Sequence, residues 1–376
     1  MKNQVRHPVV HIVFDRFLLL PLGALIALVW ANTAAESYFQ MAQRLSFAVN
    51  EIGMAFFFAL MAQEVTEAVM PGGALHSWRR WTLPIVAAAG GIIGAIAVYI
   101  GYVHLNYEYS LLPAWPIACA VDAAATYYVL RTILPRSAAV PFALLIAIVT
   151  DVVGLVIVAP RHLILQARVG GAALMLAALG IAGFLRANKV RPFWPYLFVC
   201  GALSWLAFYW EGLHPAFSLI PIVPFLRHEP RSMDVFADPP DDDAVHHQEH
   251  EWHLIVQPVL FLFGLVNAGV ALKAYDTGSW AMLFAQLVGR PVGILMAVGA
   301  AMAVGLHLPG HMRWRELLVV AFATSTGFAV ALFLATGALA TGPVLAQAKI
   351  GVLGSASGLV MALIAARLLR VGKLAH

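Results

Sequence analysis

The chain has 376 residues, of which 61% are hydrophobic and only 11% charged, with a formal net charge of +4. Soluble domains carry about 25% charged residues, so this composition excludes a soluble enzyme or a nucleic-acid-binding module and defines an all-α polytopic membrane protein. The basic residues stand at the ends of apolar runs rather than in one patch, so the lipid bilayer, and no nucleic acid, is the expected surrounding.

A spanning helix needs about 20 mostly apolar residues, and the runs predict about twelve transmembrane helices. They fall at 13–33, 48–70, 82–104, 112–133, 139–159, 168–186, 193–210, 213–226, 254–273, 279–305, 316–338 and 345–370. The first residues, MKNQVRHPVVHIVFDRF, are too polar for a signal peptide, and no small-residue cleavage site follows the first run. An even number of spans places both termini on one side. With the N-terminus inside, seventeen of the 23 Lys and Arg residues lie on the cytoplasmic side. Arg44, Arg161, Arg168, Lys273 and Lys349 lie outside, and Arg290 lies within a span. The positive-inside rule therefore predicts cytoplasmic termini. Cys119 and Cys200 both fall inside apolar runs, which argues against a disulfide framework.

The predicted layout is one integral domain without a soluble appendage. Its single long loop, 227–253, holds an Asp run, three prolines and a His cluster. His246, His247, His250 and His253 would share about one helical face, which allows a metal or pH sensor; the alternative is a solvated polar linker.

The run PFALLIAIVTDVVGLVIVAP, from Pro141 to Pro160, carries one carboxylate, Asp151, preceded by Thr150. An ionised Asp at the centre of a membrane helix costs at least about 2.5–3.5 kcal/mol, so it marks an ion or proton site. Two other spans read as broken. Small residues crowd Asp122 in PIACAVDAAATYYVL, and Thr324, Ser325, Thr326 and Gly327 interrupt the run at 316–338. Small polar residues and Gly let a helix unwind where it lines a cavity, so its free ends offer dipoles and carbonyls to an ion; ordinary close helix packing is the alternative. The spans from 82 to 159 and from 279 to 370 each form a triplet whose second helix is broken, the pattern of an inverted repeat. No Gly-Lys-Ser phosphate loop appears, so ATP drive is not expected.

These residues resemble the NhaA-type sodium/proton antiporters. The matching stretches are MAFFFALMAQEV, AWPIACAVDAAA, IAIVTDVVGLVIV, GLHPAFSLIPIVPF, LFGLVNAGVAL, LVGRPVGI and STGFAVALFL, in the family's order across most of the chain. The resemblance implies a twelve-helix fold with two crossed discontinuous helices in the bacterial inner membrane, a homodimer, and no cofactor beyond the transported ions. The family's carboxylate beside the fourth-helix break matches Asp122, and the threonine usually before it is Val121. Its paired carboxylates match Thr150 and Asp151, and its tenth-helix lysine matches Arg290 within Gly289-Arg290-Pro291. Of two glutamates tied to pH response, one matches Glu64 and the other falls at Ala68; His214 matches the family's Gly-x-His element.

The family exchanges two protons for each sodium, and the departures fall on titrating groups. Thr150 takes up and releases no proton in the working pH range, and Arg290, with a pKa above about 12, releases none. The expectation is Na+ or Li+ exchanged for H+, electroneutral and one for one. Asp151, Asp122 and Thr150 are the predicted cation ligands, and Arg290 is a structural counter-charge to Asp122, Asp151 or the negative ends of half-helices. Glu64, His214, His246, His247 and His250 are candidates for a pH response. Two readings stay open beside it: a sodium-coupled organic-anion symporter whose Arg290 binds substrate, and a non-transporting membrane sensor of pH or Na+.

Overall fold

The computed structural model describes residues 19–69, 78–135, 137–158, 169–190, 192–226, 246–310 and 312–372. No strand occurs among them. Helix α1 (Leu19–Thr33) is followed by α2 (Ala35–Phe47), which runs through a π-helical turn into α3 (Met54–Val69). Then come α4 (Trp78–Leu105), the tight 3-10 segment Tyr109–Cys119, α5 (Ala123–Ile133), α6 (Ala139–Val158), α7 (Val169–Ala187) and α8 (Ala202–Glu211). The second part holds α9 (His246–Asn267), α10 (Thr277–Phe284), a π-helical turn (Ala285–Gly289), α11 (Arg290–Ala303), α12 (Trp314–Ala323), α13 (Phe328–Ala338), α14 (Pro343–Gly354) and α15 (Ser357–Leu368). Five helical runs among the described residues are long and apolar enough to cross a membrane, and α12 with α13, bent by 41° at their break, make a sixth. The apolar stretches Leu19–Thr33, Ala139–Gly154 and Val256–Asn267 are shorter.

The structure departs from the predicted spans in three places. The second span starts at Ala35 and not at 48, because AESYFQMAQRLSF consists mostly of residues that tolerate a helix and contains neither Gly nor Pro; Arg44, expected in an outer segment, therefore stands on a helix. The end of the predicted loop 227–253 is also helical, since α9 begins at His246. The stretch 213–226 is not a regular helix. It forms two short 3-10 turns, Pro215–Phe217 and Val223–Phe225, because Pro215, Pro221 and Pro224 each remove a backbone donor.

Buried side chains gather mainly in two clusters. One holds Tyr99, Ile117, Phe217, Phe263, Met282, Phe333 and Val352; the other holds Ala87, Tyr127, Phe142, Val298, Leu317, Val320 and Ala362. Each broken span leaves one cluster and enters the other at its break. The first passes from Ile117 to Tyr127 and the second from Val320 to Phe333, in opposite senses. Helix α4 and the run Thr277–Ala303 likewise run oppositely and lie against each other through glycines. A Cβ on Gly94 would stand 2.2 Å from the Gly289 carbonyl oxygen, and one on Gly293 would stand 2.1 Å from that of Gly90. Small residues permit this backbone approach inside a bilayer.

Candidate functional site at the helix crossing

The first break is written by its prolines. Pro113 and Pro116 deny the chain an α-helical ladder, Tyr109–Cys119 tightens to 3-10, and Ala120 is extended at ψ 149°. Asp122 then caps α5: its carboxylate accepts from the Ala125 N–H at 3.0 Å. The same carboxylate accepts from the Ala329 N–H at 3.4 Å, in the first turn of α13, and the Asp122 N–H donates to the Thr326 carbonyl at 2.6 Å. One buried acid thus serves the positive ends of two half-helices, where a negative charge is favoured.

The negative ends are served differently. Pro291 has no N–H for the carbonyl four residues back, and the ladder widens to π over Ala285–Gly289 just before Arg290. Arg290 is fully buried and reaches back to the end of Tyr109–Cys119. Its Nη2 donates to the carbonyls of Ala118 at 3.2 Å, Ala120 at 3.1 Å and Cys119. At the end of α12, hydroxyls replace the cation. Thr324 donates to Val320 and Ala321, Ser325 donates to Ala321 at 2.8 Å, and Thr126 crosses over to the Ala323 carbonyl at 3.1 Å. Gly327 is required at the crossing, because a Cβ there would lie 2.7 Å from the Ala120 carbonyl oxygen. Val121, between Ala120 and Asp122, is buried.

Asp151, on α6, is also buried. It lines a cavity of about 290 Å³ together with Asp122, Thr326, Phe57, Met61 and Tyr128. The structure therefore brings the two predicted carboxylates to one cavity. Arg290 does not line it, yet its charge acts on Asp151. Thr150 is not brought in. Successive helix residues are about 100° apart, and the Thr150 hydroxyl donates to the Ile146 carbonyl on its own helix at 2.7 Å, away from the cavity lining.

A second cavity, of about 380 Å³, is lined by Asn50, Glu51, Tyr209, His214 and Thr336, among others. His214 Nδ1 lies 3.3 Å from Glu51 Oε2, and the same nitrogen is 3.3 Å from the Ala216 N–H, from which it accepts. Glu51 is not among the residues the sequence singled out; its signal is an acid in the apolar run FAVNEIGMAFFF. Gln286 is another such residue, a lone amide in the apolar run ahead of Arg290. Glu64 stands on α3, and His246, His247 and His250 stand in the first turns of α9; their side chains lie outside the described residues.

Helices broken at one crossing, with Asp122 and Arg290 at their free ends, are how secondary transporters build an ion site from backbone, and that is the class this fold and site define. The family model described as Na+/H+ antiporter 1 matches residues 15–369, and the chain belongs to that family. It is 38% identical over 366 residues to the Na(+)/H(+) antiporter NhaA of Desulfitobacterium hafniense (strain DSM 10664 / DCB-2), covering 94% of each chain. It is 37% identical to the Na(+)/H(+) antiporter NhaA of Geotalea uraniireducens (strain Rf4), covering 94% of this chain and 95% of that one. Among solved structures, the sodium proton antiporter MjNhaP1 from Methanocaldococcus jannaschii superposes with a TM-score of 0.54 over 94% of this chain and 89% of that chain. At 15% identity that likeness is one of fold. Family membership implies a transporter and not an enzyme.

Proposed function

We propose that the protein exchanges Na+ or Li+ for H+ one for one, with Asp151 as the exchanging carboxylate. The observation that carries this reading is the division of labour between the two acids of the cavity. Asp122 is committed to Ala125 and Ala329 at two helix ends, and Arg290 to three carbonyls. Asp151, the other acid of the cavity, stands on the unbroken helix α6. Oxygen donors suit a hard monovalent cation, and the carboxylates of Asp151 and Asp122 with the loosened backbone around Thr326 supply them. The Thr150 hydroxyl, bonded along its own helix, takes no part in this version of the site. One carboxylate trading one proton for one Na+ moves no net charge.

The test is proton efflux from proteoliposomes on adding Na+, Li+ or K+, under an imposed membrane potential. Voltage-insensitive exchange that disappears in Asp151→Asn is the expected result; a rate or steady-state gradient that follows the voltage rules out one-for-one exchange. An organic-anion symporter would need Arg290 in the cavity, which it does not line, and a sensor reading has no observation in its favour.

In the same reading the triplets at 82–159 and 279–370 are inverted repeats, supported by the opposite senses of the two broken spans. The protein is a homodimer of the bacterial inner membrane with cytoplasmic termini, supported by the family resemblance and the distribution of Lys and Arg. The Glu51–His214 contact is the described pair best placed to carry a pH response: Nδ1 of a neutral imidazole accepts from Ala216, whereas that of a protonated one donates to Glu51.

A further inference from the structure

Gln286 lies in the π-helical turn four residues before Arg290 and is fully buried. Neither its Nε2 nor its Oε1 has a hydrogen-bond partner among the described residues, and neither do Nε and Nη1 of Arg290. Leaving a buried polar group unpaired costs about 1–3 kcal/mol. A leucine would fill the same place in an apolar span without that penalty, so the amide calls for a role.

Its position supplies one. The point where a Cβ would stand on Gly327 is 2.8 Å from Gln286 Nε2 and 2.7 Å from the Ala120 carbonyl oxygen. That oxygen accepts from Arg290 Nη2 at 3.1 Å. Two donors four residues apart on one helix therefore stand near the same carbonyl, and one of them is engaged. Arg290 is close enough to Asp151 for their charges to interact, and its Nε and Nη1, without hydrogen-bond partners among the described residues, are the donors left for a carboxylate. A guanidinium that turned to Asp151 would strand the Ala120 carbonyl in an apolar interior unless a second donor took its place.

We propose that Gln286 is a positioning residue for Arg290: its carboxamide takes over the Ala120 carbonyl when the guanidinium turns to an ionised, cation-free Asp151. The exchange of partners keeps the Ala120 carbonyl paired while the unloaded site forms. It acts on the rate of the cycle and not on cation affinity, because Gln286 does not line the cavity that holds Asp151. The inference rests on the reading of Asp151 as the exchanging carboxylate.

The experiment measures Na+-driven proton efflux from proteoliposomes of the full chain. In Gln286→Leu the maximal rate should fall about tenfold, equivalent to about 1.4 kcal/mol of barrier. The apparent KM for Na+ should stay within about twofold, and the melting temperature in detergent should be unchanged or higher, because an orphaned amide is replaced by an apolar group of similar size. Gln286→Glu should exchange at acid pH, where its carboxyl donates, and lose exchange as the pH rises and the carboxylate can only accept. The proposal is overturned if Gln286→Leu turns over at the wild-type rate, melts lower, or loses affinity alone. It is equally overturned if Gln286→Glu keeps the wild-type pH profile. Asp151→Asn, run alongside, separates the two levels. If it still exchanges, the reading of Asp151 falls and this inference with it; if it is silent while Gln286→Leu behaves as wild type, this inference alone fails.

Discussion

Two helices end at the crossing, and their carbonyl ends are finished by different chemistry. At Tyr109–Cys119 the carbonyls of Ala118, Cys119 and Ala120 face a guanidinium carried by another helix. At α12 the carbonyls of Val320, Ala321 and Ala323 face neutral hydroxyls, two of them from the same span. The first end depends on α11, whereas the second is bonded mostly within its own span. The difference separates an end held by a charged group from one held by neutral hydroxyls.

That contrast can be broken from either side. Arg290→Met should have the largest effect, because three buried carbonyls lose their cation; removing one member of such a buried constellation costs about 3–5 kcal/mol, read as a fall in melting temperature in detergent. Arg290→Lys should recover part of it, since an ammonium keeps the charge but not the planar fork. Asp122→Ala, which strips both positive ends at once, should cost about 2–3 kcal/mol from a lost cap and a lost charged hydrogen bond, and exchange should fall with it. Gly327→Ala pushes a methyl group into the Ala120 carbonyl and should cost about 1–3 kcal/mol, the usual penalty of overpacking. Thr126→Val, on the hydroxyl side, should cost only about 1 kcal/mol and leave the exchange rate close to wild type. A Thr126→Val protein as unstable as Arg290→Met would remove the asymmetry between the two ends.

Much of this arrangement is legible in the chain. Asp122 among small residues and the Thr324–Gly327 interruption mark both breaks, because polar groups and glycine inside an apolar run are costly in a bilayer unless the backbone opens there to use them. The charge of Arg290 and its depth within a span already make it a candidate for the negative ends of half-helices. What sequence does not supply is direction. Thr150 and Asp151 are neighbours in sequence but point to different surroundings, and no composition argument separates them. The stretch 213–226 is apolar enough to span, yet its prolines forbid the helix that hydropathy assumes. Gln286 does not stand out in the sequence, because a single amide is a weak signal until the packed structure shows both of its polar atoms buried without partners.

Where Gly90 and Gly94 meet Gly289 and Gly293, peptide lies on peptide, and the side chains set into the seam are small ones, Ala297 against Gly90 and Val98 against Gly289. Most helix pairs interlock ridges with grooves, so sliding one along the other means lifting every tooth out of its slot. A seam of glycines flanked by Ala297 and Val98 has shallow teeth. Such a seam opposes shear between the two helices less than an interlocked pair would.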